Sequence, residues 1–166
     1  PIDSEFETIL ERYKESTNGG WKNNLNGRFS WDDSYVLDGL VYVFRVEGKN
    51  RYLDRFIELA DVIIKSKDSD YNYIDSYRGN RSLSGWGSTR YTKDNTHHIF
   101  NILDALILSS LTSFYNVVNT SKVPKFYQEK ANEYLKVVLK SFEKVQAPDF
   151  INISTNSGYF QDPYFL

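Results

Sequence analysis

The hydrophobic and polar positions along the chain follow the spacing of helices. From residue 2 to 13, apolar positions recur every three or four residues among charged ones, which predicts a short amphipathic helix. From Asp32 to Val46, apolar residues cover nearly every side, and a helix that is apolar all round is a buried one. After a tight turn at 47–50, an apolar stripe from Tyr52 to Ile63 lies opposite charged residues. We therefore expect this second helix of the pair to lie at the surface.

The same pair of patterns returns later in the chain. Apolar residues cover most sides between His97 and Val118, and a stripe from Phe126 to Phe142 is backed by lysine and glutamate. A buried helix followed by an amphipathic one, repeated, is typical of stacked hairpins with an inner and an outer layer. Because strand signals are poor, we predict an all-α fold of stacked antiparallel helical hairpins, as one domain over residues 1–166. Two unrelated hairpins in an ordinary bundle are the alternative.

The lengths of the loops indicate where function is located. Antiparallel hairpins alternate in direction, so segments 17–32 and 67–96 and the tail from residue 146 are expected on one face. These segments are long and rich in Gly, Asn, Ser, Trp and Tyr, whereas the turns within the hairpins are short. Long loops on a rigid scaffold usually carry binding or catalytic residues, so we expect the site on this face.

Composition and charge exclude several classes of function. With 166 residues, 40% of them apolar, the chain can bury a sizeable core. A formal charge of -2 argues against a nucleic-acid partner, because proteins that bind phosphate backbones usually carry a clustered basic excess. The absence of cysteine excludes disulfides, thiolate metal sites and cysteine nucleophiles. We expect no membrane span, since no run approaches the ~18 apolar residues that one requires.

The aromatic residues point to a sugar ligand. All three tryptophans, Trp21, Trp31 and Trp86, fall in the long loops together with several tyrosines. Flat amphipathic rings suit stacking on a pyranose, which has an apolar face and a polar rim, so we expect an oligo- or polysaccharide partner. The residues predicted to bind it are Trp31, Trp86, Arg90, Tyr91, His97 and Tyr159. The alternative is that these rings anchor the loops to the helix ends.

Two adjacent carboxylates, Asp32 and Asp33, open the first inner helix. Such a pair can supply the general acid, base or nucleophile of glycosidic bond cleavage, which needs one protonated and one ionised carboxyl group. The alternative is that Ser30 or Asp32 caps the helix while Asp33 complements the helix dipole.

The segment Thr92–His98 opens the second inner helix and contains both histidines of the chain. Asp94 and His98 are predicted catalytic residues, because a histidine near a carboxylate can transfer protons near neutral pH. Such a set also suits a lyase that removes the C5 proton of a uronate. We expect no metal, since adjacent helical histidines point about 100° apart, and no cofactor, since the glycine-rich segments 79–81 and 85–88 match neither a phosphate loop nor a dinucleotide fingerprint. Alternatively, Asp94 or Thr96 caps the helix and one histidine packs inside.

A third pair of acidic residues, Asp38 and Asp104, occupies matching places in the two predicted inner helices. A buried carboxylate needs hydrogen-bond partners or a water-filled lumen. Because the pair recurs with the repeat, a structural role is favoured, although a position facing a central cavity would make either residue a catalytic candidate.

Taken together, these features resemble the six-hairpin glycosidase-like, or α/α-toroid, superfamily. The resemblance spans roughly residues 28–145 and rests on Trp31–Asp33, the turn Gly48–Leu53, the outer-helix segment Glu58–Asp61 and the Gly- and Trp-rich loop that follows. It implies a partial α/α toroid. Superfamily members are mostly glycoside hydrolases with Asp or Glu pairs, and related toroids include polysaccharide lyases that use Asn, His, Tyr and Arg.

Length separates this chain from a closed toroid, which in those families needs five to seven hairpins. The patterns here supply two hairpins and an extra helix, so we expect the first part of a larger toroid, with the remainder of a longer chain as its partner. The function expected is that of a glycoside hydrolase or part of one. The alternatives are a lyase or epimerase acting on uronates, and a non-catalytic sugar-binding or scaffold domain.

Overall fold

The fold is described from a computed structural model of the chain, which places residues 2–16 and 23–165. These residues are mostly helical, as predicted. The elements are α1 (Ile2–Ser16), α2 (Ser34–Glu47), α3 (Arg51–Ile64), α4 (Asp68–Tyr71), α5 (Asn101–Thr120), α6 (Lys125–Ser141), β1 (Phe150–Ser154) and β2 (Ser157–Phe160). A π-helical turn at Phe29–Asp33 leads into α2, and another at Phe142–Gln146 follows α6.

The first hairpin, α2 and α3, is closed by a glycine turn. Gly48 adopts a left-handed φ of 66°, and its N–H donates to the carbonyl of Phe44 at 2.8 Å. This geometry ends α2 and reverses the chain into α3 within three residues. The prediction that α2 is buried on every side is wrong for one face, because Tyr35, Tyr42 and Val46 are each more than half exposed.

The second hairpin, α5 and α6, packs on the first through both layers. In the inner layer α5 packs along α2, where Ser110 Oγ donates to the carbonyl of Ser34 at 3.0 Å. In the outer layer α6 contacts α3, and the hydroxyl of Tyr134 donates to Asp61 at 2.8 Å. A ring stack joins the hairpins, since the centroids of Phe56 and Phe114 are 4.4 Å apart in the core.

The central helix α5 is 20 residues long and, by length and composition alone, apolar enough to cross a membrane. Half of its apolar window is buried inside the protein, against α2 and α6. The core helix of a globular protein satisfies the same criterion.

Two local predictions are corrected by the structure. The second inner helix begins at Asn101 rather than His97, because His98 is extended and exchanges two backbone hydrogen bonds with Ser88, at 2.8 and 3.1 Å. The tail contains an antiparallel hairpin in which Phe150 faces Phe160, although no strand was predicted. Most side chains of β1 and β2 are exposed, so no alternation of buried and polar residues marks these strands in the sequence.

The ring stack between the hairpins supports a prediction about stability. Phe114→Ala should lower the free energy of unfolding by ~3–5 kcal/mol, because it leaves a cavity at a fully buried site. The matched control is Phe126→Ala on α6, where the ring is 52% exposed, and it should change stability by less than about 1 kcal/mol. Urea denaturation followed by circular dichroism measures both values, and equal losses would contradict the proposed packing.

Candidate functional site

A cleft of about 720 Å³ lies between the start of α5 and the C-terminal hairpin. Three residues that the sequence analysis selects for sugar binding line it: Trp31, Tyr91 and Tyr159. They come from three separate segments, and their exposed fractions are 39%, 38% and 48%. The remaining lining residues are Phe100, Asn101, Ile102, Leu103, Ala105, Gln146, Phe160, Gln161, Asp162 and Tyr164. The cleft is therefore mainly aromatic and aliphatic.

Most of the amide and carboxylate side chains in the described cleft wall already have partners. Asn101 donates from Nδ2 to Asp149 at 2.9 Å and accepts at Oδ1 from Arg78 at 3.0 Å. Gln146 donates from Nε2 to Asp104 at 3.2 Å. The side-chain amide of Gln161 has no hydrogen-bond partner among the described residues, although its backbone N–H is anchored to the carbonyl of Asp149 at 2.8 Å. Among the amide and carboxylate side chains of the described wall, Gln161 is thus the one whose polar atoms are all open to a ligand.

Behind the cleft wall, His98 is completely buried between two carboxylates. Its Nε2 donates to Asp162 Oδ1 at 2.6 Å and its Nδ1 to Asp75 Oδ1 at 3.0 Å. Burial alone would lower the pKa of His98, but the hydrogen bonds to Asp162 and Asp75 outweigh it and raise the pKa. The same bonds hold the pKa values of both carboxyl groups below their ordinary range, against the opposing effect of burial.

Arg78 connects the same cluster to the other end of the C-terminal hairpin. Its Nη2 donates to Asp149 at 2.5 Å and its Nη1 to Asp75 at 3.0 Å. Asp149 precedes β1 and Asp162 follows β2, so both ends of the hairpin are tied to one buried set of charges. The hairpin that supplies Tyr159 to the cleft is positioned by this set.

His97, predicted to bind substrate, faces away from His98 and does not line the cleft. Its Nε2 donates to Asp68 Oδ2 at 2.6 Å, and the ring packs on Tyr73 with centroids 5.1 Å apart. Gly87 lies directly against this pair, because a Cβ there would stand 2.2 Å from His97 Nε2. The contacts of His97 therefore join three loop segments, which is a structural role.

The adjacent carboxylates Asp32 and Asp33 have different environments, and neither lines the cleft. Asp32 is exposed, whereas Asp33 is buried, accepts a hydrogen bond from the hydroxyl of Tyr13 and lies 4.0 Å from Arg28 Nε. Burial raises the pKa of Asp33 to about 6, although Tyr13 and Arg28 oppose the shift. Asp33 makes no side-chain cap bond to α2, since the π-helical turn already precedes that helix.

The other predicted residues of this loop face lie at the rim. Asp94 is exposed and accepts two hydrogen bonds from Thr96, one from its hydroxyl at 2.7 Å and one from its backbone N–H at 3.2 Å, which lower the pKa of Asp94. These bonds form a turn rather than a helix cap, because α5 begins seven residues later. Arg90 is exposed, with its guanidinium 5.5 Å from the centroid of the Tyr91 ring.

One predicted binding residue is corrected. Trp86 has no exposed surface, and its Nε1 donates to the carbonyl of Ile63 at 2.7 Å, so it is a core residue that cannot stack on a ligand. Trp21 lies outside the described residues. The matching acids Asp38 and Asp104 are not equivalent: Asp38 is exposed, whereas Asp104 is fully buried and accepts hydrogen bonds from Trp86, Ser141 and Gln146.

Sequence reasoning missed the polar residues that organise the site, above all Asp75, Arg78, Asp162 and Gln161. The one signal in the sequence is the run from Tyr159 to Tyr164, which places Gln161 and Asp162 between aromatic residues in the tail. Nothing local indicates that Asp162 reaches His98, because 64 residues separate them.

Comparison with known proteins adds no relative. No family model, no curated protein and no solved structure matches the chain. Within the part that the structure describes, no group of three or more His, Asp or Glu side chains is placed to hold a metal ion.

The buried charges predict how stability depends on pH. The pKa of His98 is raised, so its contribution is present below the unfolded value of about 6.5 and is lost as the pH rises through the folded value. Burial raises the pKa values of Asp33 and Asp104 to about 6, so ionising these two groups destabilises the fold as the pH rises from about 4. The pKa values of Asp75 and Asp162 are lowered, so their contribution to the stability of the fold is lost as the pH falls below about 4. The melting temperature should therefore be highest near pH 4 and should decline as the pH rises towards 6 and above.

Calorimetric melting across this range tests the assignment. Asp104→Asn should flatten the decline between about pH 4 and pH 6, because it removes one of the carboxyl groups that is costly to ionise when buried. Glu129→Gln, an exposed control on α6, should leave the profile unchanged. An unaltered slope in Asp104→Asn would show that this carboxyl group does not cause the decline.

Proposed function

We propose that the protein is carbohydrate-active and holds an oligo- or polysaccharide in the aromatic cleft. The observation that carries the proposal is the meeting of Trp31, Tyr91 and Tyr159 at one cleft, from segments far apart in the sequence. Each ring is between one third and one half exposed, so each has a free surface for a ligand. Aromatic surface with a few polar groups suits a sugar ring.

The size and polarity of the cleft support this class of ligand. A volume of about 720 Å³ falls within the ~300–1,000 Å³ range of small-molecule sites. The free amide of Gln161 can donate to and accept from sugar hydroxyls, and the carbonyl oxygen of Gln146 can accept from them. Both lie in the wall that carries the aromatic rings.

We propose further that the two hairpins are consecutive units of an α/α toroid. The inner helices α2 and α5 pack side by side, and the outer helices α3 and α6 contact each other through polar side chains such as Tyr134 and Asp61. The site lies at the loop-rich ends that precede the inner helices. These features support the resemblance on which the toroid proposal rests.

Hydrolysis is the reaction that we propose for the bound saccharide. Asp32 is an exposed carboxylate next to Trp31 of the cleft wall, which favours it as a catalytic group. A uronate lyase that uses a histidine base is less well supported, because His97 and His98 each donate a close hydrogen bond to a carboxylate and neither lines the cleft.

The binding proposal is tested by titrating neutral and uronic oligosaccharides. Binding is followed by tryptophan fluorescence in the native protein and by calorimetry in the variants. Trp31→Ala and Tyr159→Ala should each weaken binding at least about tenfold, or about 1.4 kcal/mol, because each removes a stacking surface. The control Tyr42→Ala removes a ring that is 68% exposed on α2, outside the cleft, and should leave the affinity unchanged. Equal effects of all three variants would contradict a site in this cleft.

Turnover of the saccharides that bind separates enzyme from binding module. Hydrolysis should release new reducing ends, and Asp32→Asn should abolish this release while changing affinity less than about twofold. Ultraviolet absorbance of an unsaturated product would instead establish a lyase. Binding without any product would establish a sugar-binding domain.

A further inference from the structure

The described lining of the cleft carries a negative charge and no positive one. Among the described lining residues Asp162 is the only charged side chain, and there is no lysine, arginine or histidine. A carboxylate on a ligand that enters this cleft would leave water without meeting a cation in the wall. Burying a charge without a partner is costly, so the wall disfavours an anionic sugar.

Asp162 is a fixed negative charge rather than a proton donor. Its carboxylate accepts from His98 Nε2 at 2.6 Å and from the backbone N–H groups of Asn101 and Tyr164, at 2.9 and 3.0 Å. Hydrogen bonds of this kind favour the ionised form of a carboxyl group. The carboxylate therefore repels a second carboxylate placed in the same cleft.

The buried cluster behind the wall does not make the net charge beside the cleft positive. It contains three carboxylates, from Asp75, Asp149 and Asp162, and two cationic groups, from Arg78 and His98. Even with His98 protonated, the carboxylates outnumber the cations by one. As the pH rises and His98 loses its proton, the cluster becomes more negative.

Arg90 lies beside one of the lining aromatics, and it does not supply a buried counter-charge. Its guanidinium lies over the ring of Tyr91 and is exposed, so water and salt screen its charge. The groups that the wall offers to a ligand are instead uncharged: the amide of Gln161, the carbonyl oxygen of Gln146 and the aromatic rings. Neutral amides match sugar hydroxyls as both donors and acceptors.

From this distribution we infer that the cleft selects uncharged saccharides over uronates, and that Gln161 is the side chain that hydrogen-bonds to their hydroxyls. The inference rests on the proposed function, because it names the class of sugar bound at the same site. The selection depends on charge alone, so the cleft should distinguish two sugars that differ only in the oxidation of C6.

Calorimetry with matched pairs of oligosaccharides tests this inference. Each pair has the same length and linkage and differs only in a C6 hydroxymethyl group or carboxylate, as in gluco- and glucurono-, galacto- and galacturono-, and manno- and mannurono-oligosaccharides. Near neutral pH and at low salt, the uncharged member of the bound pair should bind at least about tenfold more tightly. Added salt should narrow the difference, since part of it is electrostatic repulsion.

Two substitutions at Gln161 assign the selection to this wall. Gln161→Lys should reduce the preference at least about threefold, because it places a cation where a uronate carboxylate would lie. Gln161→Met keeps the length of the side chain but removes its hydrogen bonds. It should therefore weaken the binding of uncharged saccharides about fivefold without strengthening the binding of uronates. Circular dichroism of both variants checks that the fold is retained. The exposed control Glu129→Gln should change neither the affinity for the uncharged saccharide nor that for the uronate.

The outcomes distinguish this inference from the proposed function. Uronates that bind as tightly as their uncharged partners, or more tightly, would overturn the inference and leave carbohydrate binding intact. An unchanged preference in Gln161→Lys would overturn the role of Gln161. Failure of every oligosaccharide to bind would overturn the proposed function and the inference together.

Discussion

The organisation of the candidate site depends on the buried contact of His98 with Asp75 and Asp162. These groups lie on the extended segment before α5, in the loop after α4 and in the tail beyond β2. Burying any one of them alone would cost several kcal/mol, because an ionised group inside a protein needs partners. The three groups must therefore come together when the chain folds. Their contact brings the C-terminal hairpin onto the N-terminal end of α5 and forms the cleft.

The extended segment at His97 and His98 explains how two adjacent histidines take different roles. Successive side chains of an extended chain point to opposite sides. His98 thus reaches the tail, whereas His97 turns to Asp68 at the start of α4. A helix beginning at His97 would have placed the two rings about 100° apart and removed one of these contacts. The late start of α5 at Asn101 is therefore part of the construction of the site.

The helical part of the fold could be predicted because the spacing of apolar residues is a local property of the sequence. In α3 and α6 the buried positions follow that spacing. The site could be predicted only in part. Trp31, Tyr91 and Tyr159 were selected by residue type and lie together, but the same criterion selected Trp86, which packs in the core. A tryptophan in a glycine-rich loop has the same sequence signature whether it points inward or outward. One partner of His98, Asp162, lies 64 residues away, and no local pattern encodes that distance.

The same cluster links the shape of the cleft to its electrostatics. Asp162 holds the tail in place only as an ionised acceptor of three hydrogen bonds, and this requirement leaves a permanent negative charge in the wall. A group fully occupied by such bonds is poorly suited to transfer a proton, which separates it from the acid–base chemistry of the proposed hydrolysis. The exposed carboxylate of Asp32, which has no such constraint, is better suited to the catalytic role that we propose for it. In this arrangement the buried charges position the aromatic wall, which is the surface that we propose for the ligand.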